Sequence, residues 1–206
     1  MSIKIVWEHL FMVVASVFCS ILVGLPLGIA AYFFPRWRKV ILFVSDVLQT
    51  IPSLALLGII MILAGAGKLT VIIGLTLYSL LPIVRNTYLG LSEVDPGVKE
   101  AAKGMGMSRL YRLFRVELPL AFPVVFTGIR IATVNAIGTT VFAASVGGGG
   151  LGSVIYKGIR VMNMKWIAMG TLSLMLMAIV FDVLMGLIEK RLNQKVSGRV
   201  VRKMAD

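Results

Sequence analysis

Lys99-Glu100-Ala101-Ala102-Lys103-Gly104-Met105-Gly106-Met107-Ser108-Arg109-Leu110-Tyr111-Arg112-Leu113-Phe114-Arg115-Val116-Glu117-Leu118-Pro119 is the stretch whose reading decides the fold. It is polar, basic and rich in helix formers, with an N-cap signal before each half: Asp95-Pro96 upstream and Ser108 within it. On either side lie apolar runs of about twenty residues or more, the length a helix needs to cross a bilayer. Such strong helix signals between membrane-length runs mark an ordered element and not a plain connector.

Working outward, five apolar runs give five expected spans at about 10–34, 40–64, 69–91, 120–144 and 166–188. The chain of 206 residues is 58% hydrophobic and only 15% charged. Helices satisfy their own backbone polar groups, as lipid requires, so the expected class is an all-α membrane protein forming one domain over 1–206. The first run has no strongly basic start and is too long for a signal-peptide core, so it reads as a retained span. The net charge of +12 does not indicate nucleic-acid binding, because the basic residues cluster at the ends of apolar runs. Cys19 stands alone inside a run, so neither a disulfide nor a metal site is expected. His9, near a span end, reads as an interfacial polar residue.

Lys and Arg set the orientation. With five spans, one side collects Arg36, Arg38, Lys39, Arg85, Lys99, Lys103, Arg109, Arg112, Arg115 and the tail residues Lys190, Arg191, Lys195, Arg199, Arg202 and Lys203. The other side holds Lys4, Lys68, Lys157, Arg160 and Lys165. The richer side is expected in the cytoplasm, with the amino terminus outside and the carboxyl terminus inside. Trp7, Trp37 and Trp166 fall at span ends, where indoles anchor. The 93–119 loop is then cytoplasmic. Asp95 to Lys103 predicts a helix, Gly104 and Gly106 a bend, and Ser108 onward a second short helix closed by Pro119, which also opens the next span. On that second helix Leu110, Leu113 and Phe114 share a face. Such a basic amphipathic element suits either a groove on a partner or anionic headgroups of membrane lipid.

Inside the spans, Gly24 and Gly28 form a small-xxx-small pair, with Pro26 between them as a bend candidate. Pro52 and Pro82 predict local kinks or irregular helix lining a pathway. Intramembrane charges mark function or bracing. Asp46, Gln49 and Thr50 lie on one face of span two, and Arg130 and Asp182 sit at similar inner depth, so they can pair. Asn135, with Thr133, Thr139 and Thr140, is a candidate for a polar route. The run Gly147, Gly148, Gly149, Gly150, Gly152 lacks the Lys-Ser/Thr of a phosphate loop. It reads as a flexible linker or an outer gate. The twelve methionines, six between Met162 and Met185, suit apolar filler better than a metal path.

The loop also resembles a known signature. E-A-A, three residues, G, nine residues, V, one residue, L-P is similar to the conserved loop of permease subunits from ATP-binding-cassette (ABC) importers, with Val116 in place of the usual Ile. In that family the loop is a coupling helix that docks on a cytoplasmic ATPase. The resemblance places Glu100, Ala101, Ala102 and Gly106 at its core, with Gly104 and Arg109 beside them and Leu118 and Pro119 at its end. Leu48-Gln49-Thr50-Ile51-Pro52-Ser53-Leu54-Ala55-Leu56-Leu57 and Tyr78-Ser79-Leu80-Leu81-Pro82-Ile83-Val84-Arg85-Asn86-Thr87-Tyr88 resemble spans two and three of permeases for glycine betaine, carnitine, choline and related osmoprotectants.

The resemblance implies a five-span type I ABC-importer permease (MetI-like) in a bacterial-type plasma membrane. It implies as partners a cytoplasmic ABC ATPase dimer, a second permease copy (identical or homologous) and an extracytoplasmic solute-binding protein. The chain runs about eighteen residues past span five, so that receptor is expected as a separate polypeptide. ATP and Mg would be bound by the ATPase, with no cofactor, no metal and no catalytic residue in this chain. The spans lack a dense aromatic cage for a quaternary cation, which fits selectivity in the receptor. The rival readings are a like-built permease for another solute such as methionine, an osmotically opened channel, and an intramembrane enzyme. The last lacks a Ser-His pair or paired Asp motif.

Overall fold

The computed structural model describes residues 2–205, with side chains described from 2 to 194. The tail residues Lys195, Arg199, Arg202 and Lys203, expected to anchor on the inner face, lie outside the described side chains. Every regular element among the described residues is helical.

Span one is α1, Ile3–Phe33, which starts seven residues earlier than expected and passes through Pro26 without a break. Phe34 alone separates it from α2, Pro35–Thr50, whose first position is taken by the proline. The second expected span, 40–64, is not one helix. It divides at Ile51-Pro52 into α2 and α3, Ser53–Ala64, bent by 99°. Pro52 lacks an N–H and pushes the preceding Ile51 into extended backbone (ψ 128°), so the helix ends there instead of kinking gently.

Span three comprises α4, Lys68–Tyr78, and α5, Leu80–Glu93, interrupted at Ser79, three residues before Pro82. Span four is α8, Leu118–Thr139, which tightens into a 3-10 turn over Thr140–Val146. The glycine run follows. It leads into α9, Leu151–Arg160, a helix the sequence reading did not anticipate, and then α10, Met164–Ala205.

Among the described residues four stretches are long and apolar enough to cross a membrane: Ile3–Phe33, Lys68–Glu93, Arg109–Val146 and Met164–Gln194. The α2–α3 pair makes a fifth if it counts as one span.

Small residues set the packing. A Cβ on Gly28 would lie 2.5 Å from Thr87 Cβ and 2.9 Å from the Val84 carbonyl oxygen, so α1 and α5 touch backbone to backbone. Gly128 plays the same part between α8 and α5, where a Cβ would meet the Pro82 carbonyl oxygen at 2.5 Å. Three apolar clusters fill the bundle. One joins Met12, Leu57, Val71 and Leu75 near the glycine run. A second joins Leu91, Leu113, Ala121 and Val125 beside the 93–119 segment. The third joins Val13, Val17, Ala136 and Ile137 between them. The apolar window of α10 is not buried within the chain, so its outer surface faces lipid or another subunit.

Candidate functional site

The 93–119 segment forms helix, bend, helix. α6, Pro96–Gly104, begins with Pro96 at N1, and the Asp95 carboxylate accepts from the Val98 amide at 3.1 Å. Gly106 turns the chain at φ 79°, a left-handed value that favours glycine. Ser108 then caps α7, Arg109–Arg112, by accepting from the Tyr111 amide. The second helix does not stop at Pro119. A π-turn over Leu113–Glu117 carries it directly into α8, so Leu118 and Pro119 are the first turn of the span. Pro119 lacks an N–H, and it sits just after the π-turn, where the Leu118 amide bonds the Leu113 carbonyl and the regular four-residue ladder is already interrupted.

The residues of the E-A-A core divide by exposure. Glu100 and Ala101 face out, whereas Ala102 is buried, and its carbonyl accepts from the Met107 amide at 3.2 Å, which ties the bend to the first helix of this segment, called the lever below. Gly104 and Gly106 are open, with nothing within 4 Å of an added Cβ. The expected shared apolar face of the second helix is split. Leu113 goes into the bundle, while Leu110 and Phe114 remain exposed beside Met105 and Tyr111. Leu110 and Phe114, four apart, share the outer face, while successive residues on a helix point about 100° apart, which turns Leu113 inward.

Cations tie the lever to the ends of two spans. Lys99 Nζ donates to the Leu91 and Ser92 carbonyls at the α5 terminus (2.8 and 3.4 Å) and stands 5.3 Å from the centre of the Tyr32 ring. Burial pulls the Lys99 ammonium below its ordinary range, partly offset by Glu117. Arg109 lies 4.6 Å over Phe33 and donates to its carbonyl, at the end of α1. Positive charge at helix C-termini is favoured by the unpaired carbonyls there. Beneath them Glu117 is fully buried and takes a 2.5 Å hydrogen bond from Arg112 Nε. Arg112 and Glu117 are five apart, the spacing that a π-turn stacks. Tyr32 adjoins this carboxylate, and no bond of ordinary geometry reaches its Oε2. The sequence reading passed over Glu117. Its signal was an acid in an apolar context, Val116-Glu117-Leu118, one π-turn from an arginine.

The intramembrane charges are paired. Arg130 bridges Asp182 and Glu189, both at 2.8 Å, and the Thr127 hydroxyl also donates to Glu189. The Arg130–Asp182 pair that equal depth allowed is therefore present. Glu189, which the expected span ended just short of, makes it a triad joining α8 to α10. Asp46 pairs with Arg85 across α2 and α5 at 3.4 Å. Gln49 and Asn135 line one open cleft of about 410 Å³ with Tyr78, Gly138, Thr139 and Phe142. Thr50 does not line it, and its hydroxyl donates to the Val47 carbonyl.

The glycine run is packed and does not behave as a slack linker. A Cβ on Gly152 would lie 2.0 Å from the Val141 carbonyl oxygen, and one on Gly148 would lie 2.6 Å from Val71 Cγ2. Gly147, Gly149 and Gly150 hold positive φ. His9 closes this corner and is not interfacial. It is fully buried, its Nε2 sits 3.0 Å from the Ile137 carbonyl oxygen, and its Nδ1 accepts from the Leu151 amide at the start of α9. Outside it Lys68 pairs with Glu8 at 3.1 Å. Among the described residues no group of acids, histidines and cysteines could hold a metal.

Comparison with known proteins follows the same lines. A family model described as "Binding-protein-dependent transport system inner membrane component" matches residues 20–197. The chain is 42% identical over 188 residues to the glycine betaine/carnitine/choline transport system permease protein OpuCD of Bacillus subtilis (strain 168), covering 91% of this chain and 82% of that one. It is 39% identical over 197 residues to the osmoprotectant import permease protein OsmW of Salmonella typhimurium, covering 93% and 92%. Among solved structures, the inward-facing MetNI methionine ABC transporter matches with a TM-score of 0.85 over 93% of this chain and 99% of that chain. At 23% identity that likeness concerns the fold alone.

Proposed function

This chain belongs to the family of binding-protein-dependent transport system inner membrane components, multi-pass proteins of the plasma membrane, and from that premise we propose that it is the permease subunit of an ATP-driven importer for quaternary ammonium compounds. The compounds meant are glycine betaine, carnitine, choline or related osmoprotectants. The observation that carries this reading is the lever: an exposed Glu100-Ala101 surface on a capped helix braced to the ends of α1 and α5. The 42% identity to a permease of that substrate class supports the choice of solute.

In this reading two permease chains, identical or homologous, enclose a pathway, and a pair of cytoplasmic ATPase subunits docks on the levers. The ATPases hold ATP and Mg, and this chain performs no bond-making chemistry. Closure of the ATPases on ATP pulls the levers together, and the bundles rock from inward-open to outward-open. The cation braces make that movement rigid: displacement of α6 is delivered to α1 and α5 together. A separate receptor delivers solute at the outer face, with the amino terminus outside and the carboxyl terminus in the cytoplasm, as the Lys and Arg distribution favours.

The test is uptake of a radiolabelled panel by cells that lack their own osmoprotectant import and express this chain with its ATPase and receptor. Quaternary amines should accumulate against their gradient, and only with an ATPase competent in hydrolysis. Uptake of methionine alone would overturn the substrate class. Equilibration without accumulation, independent of the ATPase, would indicate a channel and overturn the importer reading.

A further inference from the structure

Three helix breaks converge on one place. α2 ends at Ile51, two residues after Gln49; α4 and α5 part at Ser79, next to Tyr78; α8 turns into a 3-10 helix at Thr140, next to Thr139. Gln49, Tyr78 and Thr139 line the same cleft of about 410 Å³, together with Asn135, Gly138 and Phe142. At membrane depth, irregular backbone persists only where protein buries it or where it borders a watered cavity. Ser79 and Thr140 are themselves buried, so protein covers the backbone on one side, while Gln49, Tyr78 and Thr139 beside the breaks border the cleft on the other.

The chemistry of the wall is specific. None of its lining residues carries a formal charge. Two aromatic rings stand with two amides, and among the described residues no hydrogen bond engages the side-chain amide of Gln49 or Asn135. Aromatic faces attract a quaternary cation, more strongly where water is scarce. Amide N–H groups can donate to a carboxylate, whose burial is costly unless it is hydrogen-bonded. A wall without a fixed counter-charge binds weakly enough to let its solute go, as conduction requires. The volume falls within the range of about 300–1,000 Å³ of small-molecule sites.

We propose that this cleft is a transmembrane subsite for a quaternary ammonium carboxylate, with Tyr78 and Phe142 facing the cation and the amides of Gln49 and Asn135 receiving the carboxylate. The subsite rests on the substrate class proposed above. It supplies the aromatic contact that no dense run in the sequence displays, because the two rings come from separate spans, sixty-four positions apart.

Gly138 gives a clean probe. Nothing lies within 4 Å of a Cβ added there, so Gly138→Val fills the cleft without a clash inside the chain. In cells carrying the whole transporter, uptake of labelled glycine betaine should fall about tenfold or more in Gly138→Val and Phe142→Leu at unchanged membrane abundance. Phe142→Tyr should keep most of it, since its ring face remains. Phe142 also packs on the Met12, Leu57 and Val71 cluster, so the Leu and Tyr variants are compared at matched thermal stability, and equal losses of uptake in both would overturn the subsite. Asn135→Leu should lower uptake of glycine betaine more than that of choline, which has no carboxylate; equal loss would also count against the assignment. Wild-type uptake in Gly138→Val and Phe142→Leu alike overturns the subsite and leaves the permease reading intact. A wild-type transporter that imports no quaternary amine overturns the substrate class, and the subsite with it.

Discussion

Glu117 is the residue most exposed to the physics of its surroundings: a carboxylate with no solvent contact, held by one guanidinium. Removing one member of a buried ion pair leaves the other uncompensated, which typically costs about 3–5 kcal/mol. Arg112 keeps some solvent contact, so Glu117→Leu is expected to cost roughly 2–4 kcal/mol, and Glu117→Gln clearly less because the amide oxygen still accepts from Arg112. Thermal unfolding of the detergent-purified complex reads both; equal stability of Leu and Gln variants would refute the pairing argument. Gly28 makes a second residue-scale test. A valine there meets Thr87 and the Val84 carbonyl well inside contact distance, so α1 must move off α5. Gly28→Val should reduce membrane abundance strongly, while Gly58→Val, whose added Cβ meets nothing within 4 Å, should not. The Gly24/Gly28 spacing was readable in the sequence because small-residue pairs four apart are a local signal. Glu117 and His9 were not, since their burial depends on elements far away in the chain: Arg112 through a π-turn, and the Ile137 carbonyl and α9 through tertiary packing.

Among elements, the lever was the most legible. Asp95, Pro96 and Ser108 are short-range helix-start signals, and both helices begin where those residues stand. Its end was half legible: Pro119 opens the next span as expected, but no break separates the second helix from that span, because a π-turn, which carries no compositional mark, joins them. The second span was misdrawn for a related reason. Hydropathy continues across Ile51-Pro52 while the helix does not, and only the 99° bend distinguishes the two. Gly106 tests the bend of the lever. At φ 79° a β-branched residue is strained, whereas asparagine tolerates the left-handed region. With a co-expressed ATPase, Gly106→Asn should preserve co-purification and Gly106→Val should weaken it. Gly106→Asp, which also adds charge to an open surface, should release the ATPase. Full retention by all three would show that this bend does not shape the docking surface.

At the scale of the whole molecule, the all-helical membrane class followed from run length and the MetI-like architecture from the resemblance, and the chain matches a chain of the MetNI methionine ABC transporter in fold. The cleft at the three breaks was only half visible. Gln49 and Asn135 stood out as polar residues within apolar runs, whereas Tyr78 and Phe142 are ordinary aromatics until the breaks bring them together. The unburied apolar surface of α10 leaves room for lipid or a second permease chain.

In the proposed function the Glu100–Ala101 surface lies in the cytoplasm, covered by a separate ATPase. Because Cys19 is the only cysteine, one background substitution, Cys19→Ser, prepares the chain for Ala101→Cys and a membrane-impermeant maleimide. Labelling is expected in inside-out vesicles and not in intact cells, with bound ATPase protecting the thiol. Labelling from the outside of intact cells, or equal labelling with and without the ATPase, would contradict it.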